Sequence, residues 1–384
     1  MTATLAADII IVGAGIIGAA CCYSFSQQGY RVILVDDKQQ GASYAGMGHL
    51  VCMDDSPAEL QLSHYSLQHW QPLLRQLPAS CAWRNCGTLW LAEHQDELTI
   101  AIKKQQQLAD YGMTSELLNR QQLRQYEPLL TQQLAGGLRV ANEGIVYAPN
   151  VVRWLITNSH ANSQVVVGKA IALEEKTVVL QNRQRLTAPY ILLANGLGAT
   201  ALVDDIPLIA KKGQLAITDR YPLAVHHQLV ELGYGASAHA TSGSSVAFNV
   251  QPRPTGQLLI GSSRQFATND VSIDLPLLQK MLQRALHFLP TIKQMNIVRC
   301  WAGIRVATPD GLPVLGPHPR HDGVWLALGH EGLGVTTAPG SAQLLLALLE
   351  GKTPAIDSSA FRADRFFSPI AASFKEQTDD QIVH

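Results

Sequence analysis

The hydrophobic pattern near the start of the chain consists of continuous apolar runs separated by small residues. Ile9 to Val12 form one such run, and Arg31 to Val35, "RVILV", form a second predicted strand. Short apolar runs without alternation are typical of strands that are buried on both faces of a parallel sheet. Small residues such as Ala19 and Ala20 follow the first run, as expected of a helix packed closely on such a sheet. The first forty residues therefore predict a β-α-β unit.

Three glycines lie between the first predicted strand and the helix. Gly13, Gly15 and Gly18 form the pattern GxGxxG. The first permits a tight turn, the second lets backbone approach a pyrophosphate, and the third lets the helix pack closely on the strand. Asp36 ends the second strand, where a carboxylate can accept hydrogen bonds from ribose hydroxyls. The segment predicts a dinucleotide site without a 2′-phosphate and leaves NAD and FAD open.

The pattern changes in the middle of the chain and changes back near its end. "KKGQLAITD", "SSVAFNVQPR" and "QLLIGSSRQF" are strand-like segments separated by turn signals, which predicts a mostly antiparallel sheet. After residue 297 the chain returns to buried strands, a glycine loop at "GHEGLG" and an apolar helix. We predict an α/β protein with an α+β substrate part. A Rossmann-like nucleotide-binding domain takes residues 1–80, 140–212 and 298–384, and a substrate domain takes residues 81–139 and 213–297.

The composition excludes several classes of protein. Of the 384 residues, 47% are hydrophobic and 15% are charged, with a net charge of −1, so we expect a packed enzyme that binds no nucleic acid. The six cysteines form no CxxC pair, so we expect reduced thiols, no metal site and a cytoplasmic protein. We expect neither a signal peptide nor a membrane span. Peripheral association with the inner membrane stays open.

A single arginine interrupts a largely apolar stretch near the end of the chain. "CWAGIRVATPDGLPVLGP" runs from Cys300 to Pro317 and contains Arg305 near its middle. A permanent cation in such a stretch needs water or an anion. Asp310 offers a structural ion pair, and a bound carboxylate is the other explanation.

These motifs together resemble the D-amino-acid oxidase superfamily of FAD-dependent oxidoreductases. The matching stretches include "IIIVGAGIIGAACCYSFSQQGYRVILVDD", "GASYAGMGHL", "ILLANGLGA", "KKGQL" and "WAGIRVATPDGLPVLGP". Within the superfamily, "GMGHLVCMDDSP" and "GHEGLGVTTA" are most similar to the flavoprotein subunits of D-hydroxyproline dehydrogenase, opine oxidase and hydrogen cyanide synthase. The resemblance implies FAD. The attachment is expected to be non-covalent, because no cysteine follows Cys300.

The resemblance also implies roles for individual residues. Arg305 would bind the substrate carboxylate, and His49, Tyr234, His239 and Arg264 are further active-site candidates. Residues matching cofactor-binding positions of the family come from six parts of the chain. They are Gly13, Gly15, Ile16, Ile17 and Gly18 in the first turn; Asp36 and Asp37 after the second strand; Ser43, Met47, Gly48 and Leu50 in the next loop; Ala170, Ala194 and Gly196; and His330, Glu331, Gly332, Leu333, Gly334, Val335 and Thr336.

The implied reaction is oxidation of an amino or imino acid at its Cα–N bond to an imine, with hydride transfer to flavin N5. A D-configured imino acid such as D-hydroxyproline is the first substrate hypothesis; D-amino acids, glycine-like amines and opines follow. Gly332 stands where some glycine-oxidase relatives carry a second arginine, which disfavours glycine oxidase itself. The resemblance favours a dehydrogenase with iron–sulfur or other electron-transfer partner subunits. A non-catalytic flavoprotein subunit is the remaining alternative.

Overall fold

The structure is a computed structural model that describes residues 7–52, 56–222, 225–233, 243–266 and 268–367. The chain divides into two compact units, each built from separate stretches of sequence. Unit 1 takes the residues up to Gln40, Val152–Ile209 and those from Val306 onward, and unit 2 takes Gly41–Val151 and Ala210–Arg305.

Strands and α-helices alternate up to Val140, and strands predominate in the described residues that follow. In chain order the strands are β1 (Ile9–Val12), β2 (Val32–Asp36), β3 (His49–Leu50), β4 (Thr88–Ala92), β5 (Ser115–Asn119), β6 (Gly136–Val140), β7 (Gly144–Ile145), β8 (Ser163–Val167), β9 (Ala170–Glu174), β10 (Thr177–Leu180), β11 (Arg185–Thr187), β12 (Tyr190–Leu193), β13 (Ile209–Thr218), β14 (Gln228–Glu231), β15 (Ser244–Pro252), β16 (Leu258–Phe266), β17 (Ile297–Ala307), β18 (Val314–Pro317) and β19 (Val324–Leu328). The helices are α1 (Ile16–Gln27), α2 (Ala42–Ala45), α3 (Pro57–Leu74), α4 (Glu97–Asp110), α5 (Arg120–Tyr126), α6 (Ala148–Thr157), α7 (Leu275–Phe288) and α8 (Gly334–Leu349).

Unit 1 is built on a sheet with the strand order β18-β19-β12-β1-β2-β8. The four pairs from β19 to β8 are parallel, and β18 runs antiparallel to β19. Every residue of β1 is buried, which explains its uninterrupted apolar sequence. A small antiparallel sheet, β11-β10-β9, contributes Val178 and Leu180 to the core of the same unit. The predicted Rossmann-like architecture is confirmed.

Helices α1 and α8 pack against each other in unit 1. Small buried residues allow their backbones to approach closely, among them Ala19 and Ala20 in α1 and Ala338 and Ala342 in α8. The segment Glu331–Leu349 is long and apolar enough to span a membrane, with a mean hydropathy of 1.3, although the sequence analysis expected no such stretch. More than half of it, 56%, is buried inside the protein, as expected of a core helix.

Unit 2 is built on a sheet with the strand order β17-β13-β16-β15-β14-β4-β6-β5. Its pairs from β13 to β14 are antiparallel, and β14 runs parallel to β4. Helix α7 covers one face, where Phe288 stacks on Phe248 with ring centroids 4.4 Å apart. The mostly antiparallel sheet predicted for the substrate part is therefore present.

The units divide the chain differently from the predicted domains at four segments. Residues 41–80, 140–151, 210–212 and 298–305 lie in unit 2 rather than with the nucleotide-binding strands. Contacts between distant parts of the chain place them there: β3 pairs with β7, and the indole Nε1 of Trp301 on β17 donates to the carbonyl of Ala45 at 3.0 Å. Hydrophobic periodicity carries no information on such long-range pairs.

Candidate functional site

The glycine turn of unit 1 has no room for side chains. A Cβ on Gly13 would lie 2.5 Å from Cα of Asn195, and Gly13 has a φ of +104° that L-residues rarely adopt. A Cβ on Gly18 would lie only 1.9 Å from the carbonyl oxygen of Gly13. Both glycines therefore serve close backbone packing, as the sequence pattern predicted.

The helix that follows this turn begins without an acidic side chain. Gly15 is the N-cap residue of α1, with extended backbone angles and no side-chain cap, and the first turn contains no Asp or Glu. Ile16 and Ile17 are buried in that turn. An N-terminus of this kind carries partial positive charge and favours a bound anion.

Asp36 lies at the carboxyl end of β2, in the same unit. Its carboxylate forms an ion pair of 2.8 Å with Nζ of Lys38, whose side chain is 60% exposed. The neighbouring Asp37 is exposed and accepts a hydrogen bond of 3.0 Å from the backbone N–H of Gln39. A partner as exposed as Lys38 holds Asp36 weakly, so this carboxylate can accept hydrogen bonds from a ligand.

Small residues also follow the strand next to β1. The backbone N–H of Ala194 donates to the carbonyl of Val12 at 2.8 Å, and Gly196 has a φ of +56°. Asn195, between them, has a buried Oδ1 without a hydrogen-bond partner among the described residues. Ala170 lies elsewhere in unit 1, at the start of β9, and packs on the core. The structure thus brings the turn around Gly13 together with Ala194 and Asn195.

The last glycine loop leads into α8 in unit 1. His330 is buried, its Nε2 lies 3.2 Å from Oγ of Ser341, and burial lowers its pKa to about 3. The next residues, from Glu331 to Leu333, form a short 3-10 helix, and Gly332 has open space around it. Leu333 is the N-cap of α8 and provides no side-chain cap, and Gly334, Val335 and Thr336 begin a first turn without an acid. The first turn of α8 thus resembles that of α1 in having no acid of its own, although the preceding 3-10 helix carries the carboxylate of Glu331.

Together these features fit a dinucleotide cofactor such as FAD. The turn excludes side chains, α1 begins without an acid, and Asp36 ends the adjacent strand. Backbone donors and a partial positive charge suit a pyrophosphate, and a carboxylate suits a ribose. The residues of the turn, as they stand, are therefore compatible with a bound dinucleotide cofactor.

The loop from Ser43 to Leu50 belongs to unit 2 and is fixed by its backbone. Gly48 has a φ of +80°, and a Cβ there would lie 2.1 Å from the carbonyl oxygen of Val146. Met47 is buried against Leu215 and Leu259, and Leu50 is fully buried. Residues 47–50 of the loop are therefore packed, whereas Tyr44 and Gly46 in its first half are exposed.

His49 contacts uncharged side chains of unit 2 and lies near two of its arginines. Its Nε2 is 3.2 Å from Nδ2 of Asn249 and 3.5 Å from Sδ of Met47. Burial of the ring lowers the pKa of His49 to about 4, the positive charges of Arg253 and Arg305 act in the same direction, and a hydrogen bond with Gln228 opposes them. His49 is thus a neutral imidazole at neutral pH.

Arg305 is a half-buried cation near the end of unit 2. Its Nη1 donates to the carbonyl of Ser263 at 3.3 Å. Among the described residues of this unit, no carboxylate lies within 4.0 Å of the guanidinium, and Nε and Nη2 make no hydrogen bond. A guanidinium can donate two parallel hydrogen bonds to a carboxylate, and this edge remains available for one.

Asp310 does not act as the structural partner that the sequence suggested for Arg305. Its carboxylate pairs with Nε of Arg365 at 2.7 Å and accepts a hydrogen bond from Thr308. Burial raises the pKa of Asp310, but the hydrogen bond and charge of Arg365 outweigh it and hold that pKa below its usual value. The ion pair that accounts for Asp310 lies within unit 1.

Sequence reasoning missed several polar residues of unit 2. Asn249 contacts His49, and the buried Arg253 donates to the carbonyls of Met47 and Val146 at 3.5 and 3.4 Å. The signal was present in "SSVAFNVQPR", where polar residues occupy a strand that is otherwise apolar. The candidate Arg264 is buried on β16, and the candidates Tyr234 and His239 lie outside the described residues.

One cluster of metal-ligating side chains lies in unit 1. Atoms of Asp205, His318 and His321 come within 4.8 Å of one another. Both ring nitrogens of His318 are engaged: Nε2 lies 2.9 Å from Asp205, and Nδ1 accepts from the backbone N–H of Arg320 at 3.1 Å. A ring with both nitrogens engaged has no lone pair left for a metal, so the cluster is explained as a hydrogen-bonded group.

Comparison with known proteins gives one family for nearly the whole chain. The family model described as FAD dependent oxidoreductase matches residues 8–348. The hydrogen cyanide synthase subunit HcnC of Pseudomonas aeruginosa is 26% identical, over 95% of this chain and 97% of the relative. The glycine oxidase of Pseudomonas putida is 27% identical, over 92% and 97% of the two chains.

A solved structure also has this fold. The crystal structure of glycine oxidase from Geobacillus kaustophilus superposes with a TM-score of 0.84 at 23% identity, covering 94% of this chain and 99% of that one. This similarity confirms the fold predicted from the sequence.

Proposed function

Because the chain belongs to the family of FAD-dependent oxidoreductases, we propose that it oxidises an amino or imino acid at the Cα–N bond, giving an imine. The observation that carries this proposal is Arg305. Its guanidinium lacks a carboxylate partner among the described residues of unit 2, and Asp310 is committed to Arg365. A cation in this state is a receptor for an anion, and an α-carboxylate matches its planar donors.

The family resemblance assigns cofactor contacts to residues of each unit taken by itself. Gly13, Gly15 and Gly18 would accept the pyrophosphate at the start of α1, and Asp36 would bind the ribose. Ser43, Met47, Gly48 and Leu50, with His330 to Thr336, would contact the flavin portion. FAD, when bound, supplies the two-electron acceptor for the oxidation. The attachment is expected to be non-covalent.

Within this reaction the protein positions the substrate rather than supplying a strong base. Arg305 fixes the carboxylate and so the orientation of the Cα–H bond. The substrate amine must lose its proton before it can form an imine. His49 is neutral at pH 7 because burial lowers its pKa to about 4, so it offers hydrogen bonds to the substrate without a charge. We therefore expect kcat/KM to rise about tenfold per pH unit until the substrate amine is deprotonated.

The substrate we propose is a D-configured cyclic imino acid such as D-hydroxyproline. D-amino acids, glycine-like amines and opines are the alternatives in the same class. Two features support the choice: Gly332 provides no second cation in the last loop, and His49 with Asn249 provides neutral polar groups that suit a hydroxyl or imino N–H. Tyr234 remains a further proposed contact.

We also propose that electrons pass onward to a partner subunit. One relative, HcnC, is by name a subunit of hydrogen cyanide synthase, and this chain has no CxxC pair of its own for a cluster. An iron–sulfur protein is therefore the kind of partner to look for. A cytoplasmic location follows as part of the same proposal.

The test is a spectral titration of the purified protein reconstituted with FAD. The chain should retain flavin absorbance after gel filtration and lose it anaerobically when D-hydroxyproline is added. The panel also contains D-proline, other D-amino acids, the L-forms of all of these, and glycine. Bleaching by no member of the panel would favour a non-catalytic flavoprotein subunit. Folded protein that retains no flavin would contradict the proposal as a whole.

A further inference from the structure

The side chain of Arg305 reaches across a neighbouring strand. Arg305 lies on β17, the next strand in the sheet is β13, and the one after that is β16. The guanidinium nevertheless donates to the carbonyl of Ser263 on β16. It therefore passes over β13, and the residue it passes over is Gly213.

The contact at Gly213 is too close for any side chain. A Cβ there would lie 2.7 Å from Nη2 of Arg305, 2.9 Å from its Cζ and 3.0 Å from its Nη1. Three guanidinium atoms at nearly equal distance mean that the flat face of the group covers the Cα of Gly213. Carbon atoms in proteins do not approach this closely, so a methyl group and this guanidinium cannot occupy their positions together.

Backbone conformation does not explain the glycine at this position. Gly213 is not among the glycines with a positive φ, so an alanine could adopt its backbone angles. The pairing of β13 with β16 shifts register between Lys212 and Ala216, and the backbone N–H of Gln214 donates instead to Oγ of Ser263 at 3.0 Å. Ser263 thus anchors both the irregular strand and the arginine.

We propose that Gly213 is a positioning residue for substrate binding. Its missing side chain lets Arg305 lie flat across β13, with Nη1 on Ser263 and with Nε and Nη2 available to the substrate carboxylate. This inference rests on the proposed function, because the position of the guanidinium matters for activity only if it binds substrate. The glycine of "KKGQL" would thus serve substrate binding rather than folding.

The nature of the contact separates this role from a structural one. The atoms that a Cβ would meet belong to the end of a long, flexible side chain, which can move aside at little cost. Gly213→Ala should therefore fold, bind FAD and unfold at nearly the wild-type temperature. The guanidinium, however, has to leave its place, and misplacement of a substrate-binding group by about 1 Å can cost up to roughly 100-fold in rate.

The experiment is a double-mutant cycle of Gly213→Ala and Arg305→Ala on the FAD-loaded protein. Propionate serves as an unreactive carboxylate and propionamide as its neutral counterpart, with Kd measured from the change in flavin absorbance. We expect Gly213→Ala to weaken propionate binding by about tenfold or more and to leave propionamide binding unchanged. Adding Gly213→Ala to Arg305→Ala should weaken propionate binding no further, because the two residues act through one contact.

The outcomes separate this inference from the proposed function. If Arg305→Ala leaves propionate binding intact, the proposed role of Arg305 fails. If Arg305→Ala weakens binding and Gly213→Ala does not, only the role of Gly213 is overturned. Equal losses from Gly213→Ala with and without Arg305 would also overturn it, since the effect would then not pass through the arginine.

Discussion

The two units prepare for anions in different ways, and both depend on glycine. In unit 1 the missing side chains of Gly13 and Gly18 let backbone meet backbone, and the proposed anion receptor is a helix N-terminus. In unit 2 the missing side chain of Gly213 lets a side chain lie on backbone, and the proposed receptor is the guanidinium of Arg305. Glycine thus makes room for backbone at one proposed receptor and for a side chain at the other.

The difference decides what a sequence can reveal. The glycines of unit 1 act on their immediate neighbours in the chain, so their spacing is itself the signal. Gly213 acts on a residue of another strand, far away in sequence, and nothing in "KKGQL" indicates which side chain lies above it. Local glycine motifs can be interpreted from one sequence, whereas glycines that clear a long-range contact need the strand order.

Gly18→Ala should produce the largest effect. Its new Cβ would lie 1.9 Å from the carbonyl oxygen of Gly13, and backbone cannot yield as a flexible side chain can. Displacing α1 removes several charge-assisted hydrogen bonds, each worth about 1.5–3 kcal/mol, so FAD affinity should fall by about 100-fold or more. Fluorescence titration of the apoprotein with FAD measures this loss.

The control for this variant is Gln28→Ala, which changes an exposed residue at the opposite end of α1. FAD affinity should stay at the wild-type value in the control. Normal FAD binding by folded Gly18→Ala protein would mean that the turn of unit 1 is not the cofactor site. The α1 N-terminus would then no longer be a proposed anion receptor to compare with Arg305.

Arg305→Ala should have the next largest effect, which concerns the KM for substrate rather than the affinity for FAD. Loss of two charge-assisted hydrogen bonds to the carboxylate should raise KM by about 100- to 1,000-fold while FAD stays bound. Arg305→Lys should recover only part of the loss, because an ammonium cannot form the planar fork. Steady-state kinetics on the amino acid that bleaches the flavin measures both variants.

Arg299→Ala is the matched control, since Arg299 lies on the same strand, is exposed and stacks near Trp301 at 5.4 Å. Its KM should stay close to that of the wild type. A KM rise of equal size in both variants would point to a general effect of charge on β17 rather than to a carboxylate contact.

The sequence was most informative where function depends on local backbone. The parallel strands, the turn around Gly13 and the mixed fold class could all be predicted from apolar runs and glycine spacing. Arg305 could be singled out because a lone cation in an apolar stretch is unusual. The neighbours of Arg305 and His49 could not, because Gly213, Ser263 and Asn249 reach them through strand pairing. The compact units differ from the predicted domains near residue 41 for the same reason, since β3 pairs with the distant β7.

Each unit contains a histidine whose pKa is strongly lowered by burial of its ring, so the two units can be compared by pH. Burial lowers the pKa of His49 in unit 2 to about 4 and that of His330 in unit 1 to about 3, from 6.5 when unfolded. Well above pH 6.5 both histidines are neutral in the folded and in the unfolded chain, so they do not lower the free energy of unfolding. As pH falls below 6.5 the unfolded chain takes up protons first, so each histidine lowers the free energy of unfolding by on the order of 1 kcal/mol per pH unit.

Urea unfolding of the FAD-loaded protein at pH 7.5, 6 and 5 (settings chosen to bracket the ordinary histidine pKa) measures this loss. His49→Gln and His330→Gln should each flatten the dependence, whereas His94→Gln should not, because the His94 side chain is 70% exposed. If neither His49→Gln nor His330→Gln changed the slope of unfolding free energy against pH, these rings would not be held as neutral groups in the folded protein.

Asp310→Asn should have the smallest effect and bears most directly on Arg305. If the arginine of unit 2 needed a structural counter-ion, removing this carboxylate would disturb it and raise KM. The carboxylate instead pairs with Arg365 at 2.7 Å and is 38% exposed, so its loss should cost about 1 kcal/mol or less in unfolding free energy. Because Arg305 would keep its contact with Ser263, KM for the amino acid should not change. Arg365→Ala should reproduce the small loss of stability and also leave KM unchanged. A tenfold rise in KM in either variant would instead support the interpretation of Arg305 as part of a structural ion pair.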